Sequence, residues 1–467
     1  MAVACLNAVC WSLISPPFQI TDEPSHFAYV QHLATTGTLP TSATQAFSPA
    51  ETEALHALKY LHVAELPQNG TITTAAEQAQ LERALNTPAS SESQDAGVAT
   101  EQPPLYYALE TIPYSFGGTV LTRLALMRLL SALMAGVTVL FAFLFLREAL
   151  PGVRWAWMVG GLGVALFPLL GFMSGAVNPD AMLYAVSAAL FFVLARALRW
   201  ELTPALAVAI GAVLAVGMLT KVNFIGLLPG AVLALAILAR REALVSPRRA
   251  YRALALALGV AASPVAVYLA TSVAAGRFGV IDFGPTGLSF ITAKGSAFGK
   301  LSYLWELYLP ALPGMPVYFH GVSITRQLWF DGLVGRYGWL DTFFPAWVYN
   351  IALIPAGLIA GLCAHELVRH RRASVERVAE LAVYIVMTAG VMALVGASDY
   401  LAYPKDIGAY VEPRYLMPML VLFGAVLALA ARGAGRRWGP AVGALLVLVI
   451  LGQDIFSQLL VVSRYYA

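Results

Sequence analysis

Long apolar runs recur along this chain, joined by short basic connections and interrupted by two long polar segments. A membrane-crossing helix needs about 20 consecutive, mostly apolar residues. Runs near that length lie at about 124–147, 155–176, 181–198, 204–219, 222–239, 251–275, 346–368, 376–398, 414–431 and 439–460. A shorter apolar run opens the chain at residues 1–15. It carries no basic start and no Ala-x-Ala-like cleavage site, so it reads as a first transmembrane helix, its cytoplasmic end expected to be missing from the given start, rather than a removable signal. The pattern predicts an all-α polytopic membrane protein with about eleven transmembrane helices. The least distinct pair is 204–219 and 222–239, separated by Thr220-Lys221-Val222-Asn223, which also reads as one broken element.

The polar segments set the organisation. We read a single transmembrane domain over 1–467: a first helix (1–15), a first extracytoplasmic loop (16–120), helices two to seven (121–275), a second extracytoplasmic loop (276–345) and helices eight to eleven (346–467). Within the first loop, 50–63 and 74–85 have helical composition, and 90–97 is small and polar, with the character of a mobile stretch. The second loop is rich in aromatics, Gly and Pro, and has too few charges for a disordered segment.

Composition sharpens the class. The 467 residues are 59% hydrophobic and 12% charged, with mean hydropathy +0.71. Soluble proteins carry roughly 25% charged residues, so a membrane protein is indicated. A net charge of +3 gives no reason to expect nucleic acid as a partner. The three cysteines all lie in apolar runs, which gives no disulfide framework and no zinc pattern. Arginine-rich alternate connections, at 147–154, 196–199, 240–252, 369–377 and 432–437, fix orientation by the positive-inside rule. Arginine far outnumbers lysine and alanine is abundant, which suggests a GC-rich bacterial genome, so the expected membrane is the bacterial plasma membrane. Both long loops then face outside, together with every short polar motif.

Those motifs supply the candidate chemistry. Asp22 and Glu23 sit at the mouth of a membrane helix, and His26 lies one helical turn on. Adjacent residues on a helix point about 100° apart, so the two carboxylates take different roles. One of them, partly buried, suits a general base; an N-cap of the following helix is the simpler alternative, and both hold together. The Asp/Glu and His spacing is also compatible with a divalent metal, though two ligands make a weak site and none is required. Gln102, Tyr106 and Tyr107 follow as sugar-binding candidates; tyrosines also populate the interfacial belt of any membrane protein. In Asn178-Pro179-Asp180 the aspartate is explained as a helix cap, which leaves Asn178 as a site candidate. Lys221, Arg336 and Arg414 are cations on the outer side and suit a phosphate; snorkelling to lipid headgroups is the alternative for each. Asp341 and Tyr415 complete the set.

Taken together, Pro16-x-Phe18-Gln19 with Asp22-Glu23 and His26, Gly37-x-Leu39-Pro40, Gln102-Pro103-Pro104-Leu105-Tyr106-Tyr107, Leu219-Thr220-Lys221, Asn178-Pro179-Asp180, Gly338-Trp339-Leu340-Asp341 and Arg414-Tyr415-x-x-Pro418 resemble the GT-C superfamily of membrane glycosyltransferases. The chain is similar to a bacterial family of predicted polytopic membrane proteins of unassigned function, placed near those enzymes. The resemblance implies an inverting transfer of a sugar from a polyprenyl-phosphate donor to an extracytoplasmic glycan or lipid acceptor. Asp22, or failing that Glu23, would be the base, with Arg414, Lys221 and Arg336 near the donor phosphate. No nucleotide is expected on the outer face, and no phosphate-cradling glycine loop lies on the inner one. The rival function is a transporter or flippase for a lipid-linked saccharide, which would place charges within the spans along a pathway.

Overall fold

In hydrocarbon every backbone polar group must be satisfied within the chain, and helices do this locally. The computed structural model describes residues 1–41, 47–59, 72–86, 88, 97–277, 285–319, 325–402 and 411–466. Most of residues 60–71 and 90–97 lies outside that set, including the stretch expected to be mobile. The described chain is helical almost throughout. Its main helices are α1 (Ala2–Ile14), α2 (Glu23–Thr36), α3 (Pro49–Ala57), α4 (Ala75–Asn86), α5 (Leu105–Phe116), α6 (Val120–Ala149), α7 (Arg154–Ala165), α8 (Pro168–Ser174) and α9 (Asp180–Arg199). They continue with α10 (Pro204–Thr220), α11 (Leu228–Val245), α12 (Pro247–Ala274), α13 (Pro285–Thr292), α14 (Ala297–Glu306), α15 (Ala346–Arg369), α16 (Val378–Ala402), α17 (Leu420–Gly433) and α18 (Gly435–Tyr465). Shorter helical turns join them. A two-stranded antiparallel hairpin pairs Arg336–Tyr337 with Thr342–Phe343.

Local signals set the helix starts. Ser48 and Glu51 form a reciprocal capping box on α3, Thr119 and Thr122 do so on α6, and Thr203 caps α10. The helices expected in the first loop appear as α3 and α4. Lys221 breaks the apolar run between α10 and α11: it is extended (φ −155°, ψ 141°) and leads into a 3₁₀ turn at Val222–Leu227. Past the break α10 and α11 both pack on α12, and α11 packs on α16 as well.

Among the described residues, eight helical segments are long and apolar enough to cross a membrane. A ninth is added if α7 and α8, bent by 51°, form one span. The expected eleven is not reached by this measure, because α1 and α10 are apolar but shorter. α9 is the centre of the bundle: 83% of its most apolar window is buried, against 17% for α12 and 11% for α15. It packs on α6 and α10, and α6 in turn on α1 and α7.

The two ends of the bundle differ in chemistry. At one end the arginine-bearing connections meet each other: Arg196 pairs with Glu148, Arg241 donates to Leu198 O, and Arg377 donates to Ala149 O. At the other end, Ile72 N donates to Arg464 O, and Thr73 and Gln78 donate to Tyr465 O. The C-terminal end of α18 therefore lies on the side of the first long loop, as the alternation of basic connections requires.

Close helix packing depends on small residues. α7 and α17 touch through Gly160 and Gly424. A Cβ at Gly160 would stand 2.4 Å from Gly424 O and 2.7 Å from Leu146 Cδ1. We expect Gly160→Val to push α7 off α17 and destabilise the protein by about 1–3 kcal/mol, the usual cost of overpacking. A melting temperature in detergent equal to that of the wild type would contradict this close approach.

Candidate functional site

The site forms where four chain segments end on the face of the long loops. The turn 15–22 leaves α1 and carries two non-glycine residues in the left-handed region, Phe18 (φ 65°) and Asp22 (φ 64°). Such conformations persist only where surroundings hold them. Thr21 supplies part of that hold, its hydroxyl donating to Gly338 O (2.9 Å) and its carbonyl accepting from Asn178 Nδ2 (3.2 Å). The other segments are the start of α9, the break at Lys221, and the 3₁₀ turn Pro413–Met419 that leads into α17.

The left-handed turn at Asp22 sends the two adjacent carboxylates in different directions. Glu23 is fully buried, facing α6. Its oxygens accept from Arg128 Nε (2.7 Å) and Nη2 (2.6 Å), Phe18 N (2.9 Å) and Val177 N (3.0 Å). Arg128 further donates to Ser12 O, Ser15 O and Pro16 O, so this pair ties α1, the turn, α2 and α6 together. Glu23, the second expected base, has no oxygen free toward the cavity.

Asp22 faces a cavity of about 270 Å³. Its walls include Asp22, His26, Gln102, Lys221, Arg414 and Tyr415 from the expected set, with Glu101, Asn223, Ser398 and Asp399. Arg414 is the hub. Its Nη2 donates to Asp22 Oδ2 (2.5 Å) and Glu412 Oε1 (3.1 Å). Its Nε lies 2.8 Å from Glu412 Oε2 and its Nη1 3.7 Å from Asp180 Oδ2. Neither Nε nor Nη1 makes an aligned hydrogen bond among the described residues. Lys221 donates to Asp180 Oδ1 (2.7 Å), closing the network. Tyr415 stacks near the hub, its ring centroid 5.3 Å from the Arg414 guanidinium carbon.

Burial sets the protonation states here. Burial opposes charge on Asp22, but the Arg414 guanidinium bound to it, with Lys221 nearby, outweighs it and holds its carboxyl below the ordinary 3.8. Burial pushes Glu412 up to about 7, against the pull of Arg414 and helped by repulsion from Asp22 and Asp180. His26 is lowered to about 3, chiefly by burial, so its imidazole is neutral at physiological pH. Its Nδ1 bonds the Tyr107 hydroxyl (2.9 Å), and its buried Nε2, beside the cavity, has no partner among the described residues.

Several expected site residues stand behind the cavity rather than on its wall. Tyr107 stacks on Tyr29 (3.7 Å between centroids) and supports His26. Tyr106 is buried against α6 through Ser131 (2.8 Å). Asn178 ties the turn to α9, its Oδ1 accepting from Asp180 N (3.0 Å). Asp341 closes the hairpin by accepting from Trp339 N (2.9 Å) and pairs with Arg464 (3.1 Å). Arg336 packs over Phe343, 5.5 Å from its centroid, away from the cavity. The division expected at Asn178-Pro179-Asp180 differs: the Asp180 side chain makes no cap and holds Lys221, while Asn178 braces the turn before α9. Asp399 and Arg128 carried no expectation from the sequence, and Glu412, part of the motif Glu412-Pro413-Arg414-Tyr415, was not marked as a site residue. Arg128 had a signal, a lone charge inside an apolar run. Among the described residues no three His, Cys, Asp or Glu side chains are arranged to share a metal ion.

With this geometry in place, comparison with known proteins gives the family. A family profile described as "Predicted membrane protein (DUF2142)" matches residues 5–423. The chain belongs to that family. No curated protein matches it. A solved structure, the apo form of the Archaeoglobus fulgidus oligosaccharyltransferase, is similar at 12% identity and a TM-score of 0.45, over 99% of this chain and 55% of that one. The chain thus spans about half the length of that protein.

Two outcomes are expected of variants. Arg128→Leu leaves Glu23 buried without its partner, and we expect a loss of about 3–5 kcal/mol, read as a large fall in melting temperature or failure to assemble. Glu412 tests the pH linkage. Its folded-state pKa of about 7 lies above the ordinary 4.5, so its stabilisation is whole below pH 4.5 and is lost as pH rises through 7. Glu412→Gln should therefore flatten the decline of melting temperature between about pH 5 and pH 8. An unchanged slope would show that Glu412 does not titrate in that window.

Proposed function

We propose that this protein is a GT-C type glycosyltransferase of the bacterial plasma membrane, with its site on the extracytoplasmic face. It takes a sugar from a polyprenyl-phosphate donor and passes it, with inversion, to a glycan or lipid acceptor of the cell envelope. The observation that carries the reading is the cavity that brings Asp22, bound to Arg414, together with Lys221 on one wall. A binding module has no need for an ionised carboxylate held in a left-handed turn beside two such cations. A transport pathway would carry its charges through the bundle; the cavity charges cluster at one end.

The reaction assigns a role to each group. The acceptor oxygen attacks the anomeric carbon while Asp22 takes the hydroxyl proton. The bond from that carbon to the phosphate oxygen breaks, and its electron pair leaves on the lipid phosphate. Arg414 and Lys221 stabilise the charge that develops there. Arg414 is bound to Asp22 in the described state, so an arriving phosphate competes for the guanidinium. Glu412, with a pKa near neutrality, relieves the crowding of anions by taking a proton. Neutral His26 offers its Nε2 to a sugar hydroxyl, and Gln102 and Tyr415 complete the wall. Arg336, Tyr106, Tyr107, Asn178 and Asp341 support the site from outside the cavity. No step requires a metal.

The test is transfer of radiolabelled sugar from polyprenyl-phosphate donors in membranes. Asp22→Asn is expected to lower the rate by about 10²–10⁴-fold, the usual contribution of a general base. Undiminished transfer by that variant, at equal expression, would remove Asp22 from the mechanism.

A further inference from the structure

A second cavity, of about 680 Å³, lies at the opposite end of the bundle among α6, α15, α16 and α17. Its size falls within the range of about 300–1,000 Å³ common to sites for a single small ligand. None of Asp22, Lys221 or Arg414 lines it. α16 walls both spaces, through Glu380 to Met392 here and through Leu394 to Asp399 at the candidate site. The inner walls are apolar, with Phe145, Leu381, Ile385, Met392, Leu422 and Ala425. The mouth is charged and lies in the arginine-bearing connection between α15 and α16.

The charges at the mouth divide into two sets. Glu366 is buried, 3% exposed, and held by Arg432 Nε (3.0 Å) and His370 Nδ1 (3.3 Å). Arg377 is bidentate with Glu380. These pairs neutralise each other. Arg369, Arg371 and Arg372 are exposed on the same connection, next in sequence to His370 and Ala373 of the cavity wall, and no ion pair holds them among the described residues. The mouth therefore carries an excess of positive charge over an apolar interior. Basic clusters next to a membrane span attract anionic lipid headgroups.

We infer that this cavity is a binding site for one anionic phospholipid of the leaflet on the arginine-bearing side, its acyl chain between α15, α16 and α17 and its phosphate on Arg371 and Arg372. The charge complementarity at the mouth selects this occupant. The prenyl chain of a donor bound at the other end would need no cations here. This site is independent of the glycosyltransferase reading and stands if that reading fails.

Native mass spectrometry of delipidated protein in detergent tests it, with phosphatidylglycerol, phosphatidylcholine, polyprenyl phosphate and inorganic phosphate added separately. One phosphatidylglycerol per chain should bind at least about tenfold more tightly than phosphatidylcholine, and inorganic phosphate should not displace it. Arg371→Ala with Arg372→Ala should weaken it about fivefold or more, and Ala425→Trp, which fills the interior, should abolish it. The arginine pair is exposed, so that variant keeps the test decisive if the filled variant fails to fold. Equal binding of the two phospholipids, preference for polyprenyl phosphate, or indifference to the arginine pair would overturn the proposal.

Discussion

The buried guanidinium of Arg414 is the constraint on which the site depends. It joins the turn after α1, the start of α9 and the approach to α17, and Lys221 adds the break between α10 and α11 through Asp180. Ions buried at the end of an apolar bundle are costly to desolvate, and they are tolerated only with partners in good geometry. The carboxylates supply those partners. The same attraction that draws four segments together leaves an open space bounded by their side chains, and that space is the candidate site.

A second buried ion pair makes the first possible. Arg128 and Glu23 fix the turn 15–22 from below, with backbone groups of both α1 and the turn satisfied by the same guanidinium. Asp22 then has no room to follow its neighbour. Its left-handed backbone carries it to the opposite side, where Arg414 waits. The two adjacent carboxylates thus divide structural and chemical labour. One is shielded and saturated; the other is ionised beside a cavity.

The architecture was largely legible from hydropathy, because the solvent imposes it: apolar runs in hydrocarbon have few alternatives to helices. The gathering of the arginine-bearing connections at one end of the bundle was legible too. The site was legible in part. Lys221 and Arg414 stood out as charges at the ends of apolar runs, and both line the cavity. The roles of Glu23 and Asp180 were not legible, because each depends on a partner more than 40 positions away in sequence, Arg128 and Lys221. Tyr106, Tyr107 and Asp341 were marked by motif alone. Motif membership does not separate a wall from its support, and the structure places these residues one layer back.

Under the proposed mechanism Asp22 and the lipid phosphate compete for one guanidinium, and the decisive measurement is affinity for polyprenyl phosphate in the wild type, Asp22→Asn and Arg414→Ala. Asp22→Asn should therefore bind polyprenyl phosphate at least as tightly as the wild type, while Arg414→Ala should bind it about tenfold or more weakly. Equal weakening by the two variants, or no change in either, would contradict it.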